Sequence, residues 1–290
     1  MIIGTSGRIG SGKDLVGNII QALVWLNKSK ENKLESHIGK FSLEQLVTEY
    51  DMWFAPKGIR GMTNVRKESG FEIKKFADKL KDIVCLLLGC DREQLEDHDF
   101  KNTPLGKEWD KLQITYSDGF DEVTGIFDSN FDTDTLLDAK GRVAYIHKKQ
   151  IIKLTPRKIL QLLGTEAGRQ TIHPNIWINS LFVDYIRPSH WENRYYDEVN
   201  KKGLAGKEEI FGDLPNWIIT DVRFENEAQA IKDRDGILIR VNRGSDNSSS
   251  HISETALDNY QDWSYVIDNN GSIEDLIVKV KEILIKENVI

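Results

Sequence analysis

The feature that most constrains the fold lies at the start of the chain. An apolar run, Ile2–Ser6, leads directly into Gly7-Arg8-Ile9-Gly10-Ser11-Gly12-Lys13, which has the form G-x-x-x-x-G-K. Leu15, Val16, Ile19, Ile20 and Leu23 then recur at helical spacing. A strand, a glycine-rich turn and an amphipathic helix in this order predict a loop that cradles phosphate. Small residues let backbone N–H groups turn inward around the anion. The lysine reaches the outer phosphates, and the helix presents its positive N-terminal end. The next position usually carries a Ser or Thr whose hydroxyl holds Mg2+; here Asp14 and then Leu15 follow. The loop alone indicates a nucleoside triphosphate site, a property shared by ATPases, GTPases and kinases.

Four further apolar runs read as strands: Ile73–Ala77, Trp217–Asp221, Ile237–Asn242 and Tyr265–Asn269. Helical patterns follow at Ala77–Leu88, Glu225–Lys232 and Ile273–Ile285. Strands alternating with helices predict an α/β fold with a mainly parallel five-stranded sheet flanked by helices. Two more helices are expected before the third strand. One opens at Thr155-Pro156, an N-cap residue followed by proline, and the other near His173-Pro174, running through Trp177–Ile186. The chain reads as a single domain, 1–290, carrying insertions at 28–70, 99–153 and 187–215. The second insertion contains expected strands at Leu112–Tyr116 and Arg142–His147; the third is charged and loop-like. The Ser245–Ser250 stretch reads as a mobile loop, within a lid at about 243–256.

Hydrophobic residues make up 39% and charged residues 29% of the 290, which places the chain among soluble globular proteins. Apolar stretches such as Ile83–Leu88 are too short to span a bilayer, and no basic segment precedes an apolar leader. Two cysteines, Cys85 and Cys90, without such a leader fit a reducing cytoplasm and no disulfide framework, with Cys85 in the core. A net charge of −7 disfavours duplex nucleic acid as partner but not nucleotides, which a local Arg and Lys cluster can hold. The sequence leaves a homodimer open.

Several segments resemble bacteriophage-type deoxynucleoside monophosphate kinases. They are the Gly12-Lys13-Asp14 ending of the loop; Arg157-Lys158-Ile159-Leu160-Gln161-Leu162-Leu163-Gly164-Thr165-Glu166; Asn175-Ile176-Trp177; Trp217–Ala228; and His251-Ile252-Ser253-Glu254. The resemblance implies a P-loop kinase fold with an acceptor-binding part and a lid, and ATP with Mg2+ as donor and cofactor. Family members commonly carry Thr or Ser where this chain has Leu15. Asp14, or a water held by Asp221, is then the substitute Mg2+ ligand.

Gly7, Gly10, Ser11, Gly12, Lys13, Asp14 and Leu15 are thus expected around the nucleotide, with Arg243 swinging in from the lid. Arg240 is expected within its strand. Asp221 and Arg223 follow a strand end, where ligands bind in open parallel sheets. With Lys13 they form the expected catalytic set, unless they only pair with each other. Arg157, Gln161 and Gly164 fall at i, i+4 and i+7, opposite Ile159, Leu160, Leu162 and Leu163. With the family likeness, this stripe is the expected acceptor site; by spacing alone it is a solvated face. Asp78 reads first as an N-cap and second as an acceptor contact, and Trp177 first as core and second as a base platform. His251 reads as solvated.

Two metal readings fail. Asp128, Asn130, Asp132 and Asp134 open like a calcium loop, but Thr133 and Ala139 stand where Gly and Glu are needed. His98, His147 and the cysteines lack zinc spacing. The rivals to a kinase are a P-loop ATPase or GTPase, and a non-catalytic nucleotide-binding regulator.

Overall fold

All five residues of β1 (Ile2–Ser6) are buried, as the middle strand of a sheet covered on both faces requires. The computed structural model describes residues 1–31, 69–117, 122–132, 134, 136–138, 140–193, 207–244 and 255–290. Most of the 28–70 insertion, the Ser245–Ser250 stretch and His251–Glu254 lie outside the described residues. Residues 1–78 with 177–290 form one compact unit and residues 79–176 a second.

The first unit holds the five-stranded sheet. Its order is β10 (Tyr265–Asp268), β9 (Ile237–Asn242), β1, β8 (Asn216–Ile219), β2 (Phe71–Lys74), and every neighbouring pair is parallel. Because β1 lies between β8 and β9, the loop leaving its carboxyl end opens where strand order diverges, the place where such sheets bind ligands. Helix α1 (Lys13–Glu31) packs against α8 (Ile273–Lys286) on one face. Val16, Ile19, Ile20 and Leu23 meet Leu276, Ile277, Val280 and Leu284 over Ile3, Ile218 and Ile239. Each such aliphatic side chain contributes roughly 1.5–3 kcal/mol on burial. A capping box starts α8: Ser272 Oγ accepts from Asp275 N, and the Asp275 carboxylate accepts from Ser272 N. Helix α7 (Glu225–Lys232) packs on β1 and β9 through residues that include Ala228 and Ile231.

Strand β2 ends earlier than the expected Ile73–Ala77. The N–H groups of Phe76 and Ala77 turn away from the sheet and donate to the Asp221 carboxylate, at 2.8 and 3.0 Å. Lys75 N donates to Asp78 Oδ2 at 2.9 Å while Asp78 N donates to Lys75 O at 3.1 Å. Asp78 therefore pins the strand-to-helix turn from the first position of α2 (Asp78–Leu88), not from the N-cap before it.

The 187–215 segment contains an antiparallel hairpin of β6 (Ser189–Asn193) and β7 (Lys207–Phe211), correcting its loop-like reading. Polar or charged residues at most positions hide the alternation that signals a strand. Helix α6 (Ile176–Phe182) stops well short of Ile186. Among the described residues no helix is long and apolar enough to cross a membrane.

In the second unit, α2 is followed by the short helices α3 (Arg92–Glu96) and α4 (His98–Asn102). An antiparallel sheet then follows in the order β4 (Glu122–Asp128), β3 (Lys111–Ser117), β5 (Tyr145–Ile152). Strand β4 lies between the two strands expected in this insertion, where no strand was expected, and Asp128 and Asp132 cap local turns beyond it. Strand β5 starts three residues later than expected. Arg142 is held in a turn instead, its N and Nε donating to the two oxygens of Asp138 at 3.0 and 2.9 Å. Thr155 Oγ1 caps α5 (Pro156–Gln161), as expected. At Leu162 the chain passes into a π-helical segment, Leu162–Ile172, so the spacing of an α-helical stripe ends there.

Candidate functional site

The loop after β1 is shaped by its glycines. Gly10 and Gly12 take φ of 80° and 93°, a region that favours glycine. A Cβ on Gly7 would lie 2.3 Å from Ser11 Oγ and 2.5 Å from Val241 O. Side chains from neighbouring strands hold the turn. Asn269, just past β10, donates from Nδ2 to Ser11 O at 2.8 Å, and Thr5 Oγ1 donates to Lys13 O at 3.3 Å. Among the described residues, Ser11 Oγ is buried without a hydrogen-bond partner. An orphaned hydroxyl inside a glycine cradle, at the start of a 19-residue helix, fits an anionic oxygen that accepts its hydrogen bond.

Charge gathers on the β8 and β2 side of this loop. Lys13 is buried, and burial lowers its pKa; Arg223 and Lys75 lower it further, while Asp14 and Asp221 oppose them. Asp14 forms an ion pair with Lys75, Nζ to Oδ1 at 2.7 Å, and Thr220 Oγ1 donates to the same oxygen at 3.0 Å. Burial raises the Asp14 pKa, but Lys75, Lys13 and Thr220 outweigh it and hold the carboxyl below its ordinary value. Both contacts fall on Oδ1, so among the described residues Oδ2 keeps its lone pairs for a cation. Asp221 is different: buried, with both oxygens accepting backbone N–H groups, its pKa is pushed up by burial and drawn back by those bonds, Arg223 and Lys75. The buried Glu227 carboxylate accepts from Arg223 N at 2.7 Å and Phe224 N at 3.1 Å, which fixes the loop that carries Arg223.

Sequence reasoning missed Lys75, Thr220, Glu227 and Asn269. Lys75 carried no local signal, because the expected strand Ile73–Ala77 placed it inside a strand rather than past its end. Arg243 is exposed just past β9; residues 245–254 of the expected lid lie outside the described residues. Trp177 is buried in the first unit.

In the second unit, Arg157 Nε donates to Asn102 Oδ1 at 2.7 Å, and Gln161 is half-buried. Gly164 does not share an outward face with them. It is buried, and a Cβ there would lie 2.8 Å from Leu80 Cδ2 of α2. Ile159 is buried, whereas Leu160, Leu162 and Leu163 are only half-buried, so the expected division into leucine side and open side is blurred by the π turn.

A glycine cradle after the middle strand of a five-stranded parallel sheet, with a buried lysine opening the next helix, defines the P-loop kinase class of α/β fold. The family model of deoxynucleotide monophosphate kinases matches residues 115–280 of the chain. The chain belongs to that family. The match includes Arg157, Gln161, Gly164, Trp177, Asp221, Arg223 and Arg243, and leaves the phosphate loop and Asp78 outside it.

Relatives agree. The chain is 25% identical over 249 residues to the deoxynucleoside-5'-monophosphate kinase of Escherichia phage T5, covering 83% of this chain and 77% of that one. It is 26% identical over 129 residues to the deoxynucleotide monophosphate kinase of Enterobacteria phage T4, 44% of each chain. A protein of Acanthamoeba polyphaga mimivirus is 32% identical over 130 residues; the match spans 43% of this chain and 59% of that protein.

Proposed function

We propose that this protein transfers the γ-phosphate of ATP to a deoxynucleoside monophosphate, releasing ADP and the deoxynucleoside diphosphate. The observation that carries this reading is the buried Lys13 ammonium inside the glycine cradle, within a chain of this family. A phosphoryl transfer needs chiefly positioning and charge stabilisation. The loop N–H groups and Ser11 Oγ orient the donor phosphates. An oxygen of the acceptor phosphate attacks the γ-phosphorus in line while the bond to the ADP oxygen breaks. Lys13, Arg223 and Arg243 spread the charge that develops on the transferring group.

Among the described residues Asp14 is the one best disposed to hold Mg2+, because no described residue contacts its Oδ2. Asp221, whose two oxygens already accept N–H groups, would hold the ion only through a water. Mg2+ held there would supply positive charge that offsets the charge on the donor phosphates. Arg157 and Gln161 are the proposed acceptor contacts, joined by Asp78 and Trp177 as weaker candidates, and Gly164 serves packing. The lid at 243–256 is proposed to exclude water.

The acidic chain favours nucleotides over duplex nucleic acid, and the phage relatives favour a host cytoplasm as the place of action. The test is phosphoryl transfer from ATP to each deoxynucleoside monophosphate, with ATP hydrolysis in the absence of acceptor as control. Hydrolysis that ignores the acceptor would favour an ATPase instead.

A further inference from the structure

Arg8, the second residue of the phosphate loop, is held from outside the loop. Its Nη2 lies 2.7 Å from Asp258 Oδ2. The other oxygen of Asp258 lies 3.3 Å from Arg240 Nη2. Arg240 is a fixture: its Nη1 donates to Ser6 Oγ at 3.3 Å, and its guanidinium sits 5.5 Å from the centre of the Trp263 ring. The Arg240 side chain is 14% exposed, against 48% for Arg8. One guanidinium is therefore locked in place and the other is free to leave. When it leaves, Asp258 keeps Arg240 and is not stranded without a counter-ion.

The two sides of the loop differ. Lys13, Asp14, Lys75, Thr220, Asp221 and Arg223 gather toward β8 and β2, where charge on the transferring phosphate is met. Toward β9, among the described residues, the loop offers one exposed cation, Arg8, between Gly7 and Gly10, and Asp258 occupies it. A triphosphate in the cradle sets several negative charges against the single charge of Asp258. We propose that Arg8 is a further ligand of the donor phosphates and that Asp258 competes with them for it, so that this pair tunes the loop's affinity for ATP. The proposal rests on the loop being an ATP site, and its outcome is separable from that reading.

The experiment is calorimetric titration of ATP with Mg2+ into the full chain and into Arg8→Ala, Asp258→Asn and the double variant, with melting temperatures as a folding control. Arg8→Ala weakens binding about tenfold, the loss of one charge-assisted contact. Asp258→Asn tightens it about two- to fivefold, the scale of a partly exposed ion pair, and high salt narrows that gain. In the Arg8→Ala background Asp258→Asn changes nothing, because its effect passes through Arg8. Asp258→Glu keeps the charge and does not tighten binding, which guards against an unstable Asn variant. Weaker binding in Asp258→Asn would make the pair a brace for the loop and overturn the proposal. Tightening that persists without Arg8 would do the same by showing general repulsion. A wild-type chain that does not bind ATP would overturn the ATP reading beneath it.

Discussion

Asp14 Oδ1 accepts from Lys75 Nζ at 2.7 Å and from Thr220 Oγ1 at 3.0 Å, joining the first turn of α1 to the ends of β2 and β8. The ion pair is half in solvent, so its part in stability is below about 1 kcal/mol. Its weight lies in orientation, since it fixes which oxygen of Asp14 remains for a cation. Asp14→Ala is expected to raise the Mg2+ concentration for half-maximal turnover by roughly tenfold, the loss of one charged ligand. Lys75→Met should leave the melting temperature nearly unchanged while lowering turnover. An unaltered Mg2+ requirement in Asp14→Ala, checked by Mn2+ binding in the presence of ATP, would remove Asp14 from the metal site.

Lys13 carries the charge argument. Lys13→Ala should cut turnover by orders of magnitude, because the ammonium acts mainly on the transition state. Burial lowers its pKa below the ordinary 10.5, so activity should fall on the alkaline side before a free lysine would titrate. In the window between the lowered folded pKa and 10.5 the unfolded chain holds the proton and the folded chain does not. The stability contribution of Lys13 therefore rises with pH there, as the burial penalty on the charged form is relieved, while activity declines. A pH–rate profile beside urea unfolding at each pH checks the opposed slopes.

Asp221→Asn replaces one accepting oxygen with an amide NH2. Either Phe76 N or Ala77 N then loses its acceptor in a buried site. The expected loss is about 1–3 kcal/mol of unfolding free energy, measured by urea denaturation. A variant as stable as the wild type would mean that the turn between β2 and α2 does not depend on this carboxylate.

The phosphate loop and the parallel sheet were legible in the sequence because they rest on local chemistry. Glycines mark where a backbone must turn into positive φ, and buried parallel strands read as mainly apolar runs. Ile2–Ser6 and Ile237–Asn242 accordingly match their strands end to end. Strand β2 was misplaced because its end is set by Asp221, 144 residues from Ala77, a partner no local pattern reveals. Lys75 was missed for the same reason: its role appears only once β2 lies beside β8. The Arg157–Gln161–Gly164 spacing assumed 3.6 residues per turn, and the π-helical segment from Leu162 removes that assumption for Gly164.

That segment separates two kinds of variant. Arg157→Ala and Gln161→Ala should raise the KM for the acceptor or lower its kcat/KM by roughly tenfold to a hundredfold, with ATP affinity unchanged. Gly164→Ala should act on stability instead. Its new methyl presses on Leu80, costing about 1–3 kcal/mol, and helix propensity returns at most about 1 kcal/mol. Acceptor kinetics on all three variants, with their melting temperatures, distinguish the roles. Unaltered acceptor kinetics in both polar variants would move the acceptor site elsewhere, first to the surroundings of Asp78.

The most direct measurement is ADP release by the full chain supplied with ATP and Mg2+, with and without each deoxynucleoside monophosphate, with product nucleotides identified by chromatography. The account predicts that ADP appears in step with a deoxynucleoside diphosphate for at least one base, and that release without acceptor is far slower. ADP release at the same rate with no acceptor, or none with any of them while ATP still binds, would contradict it.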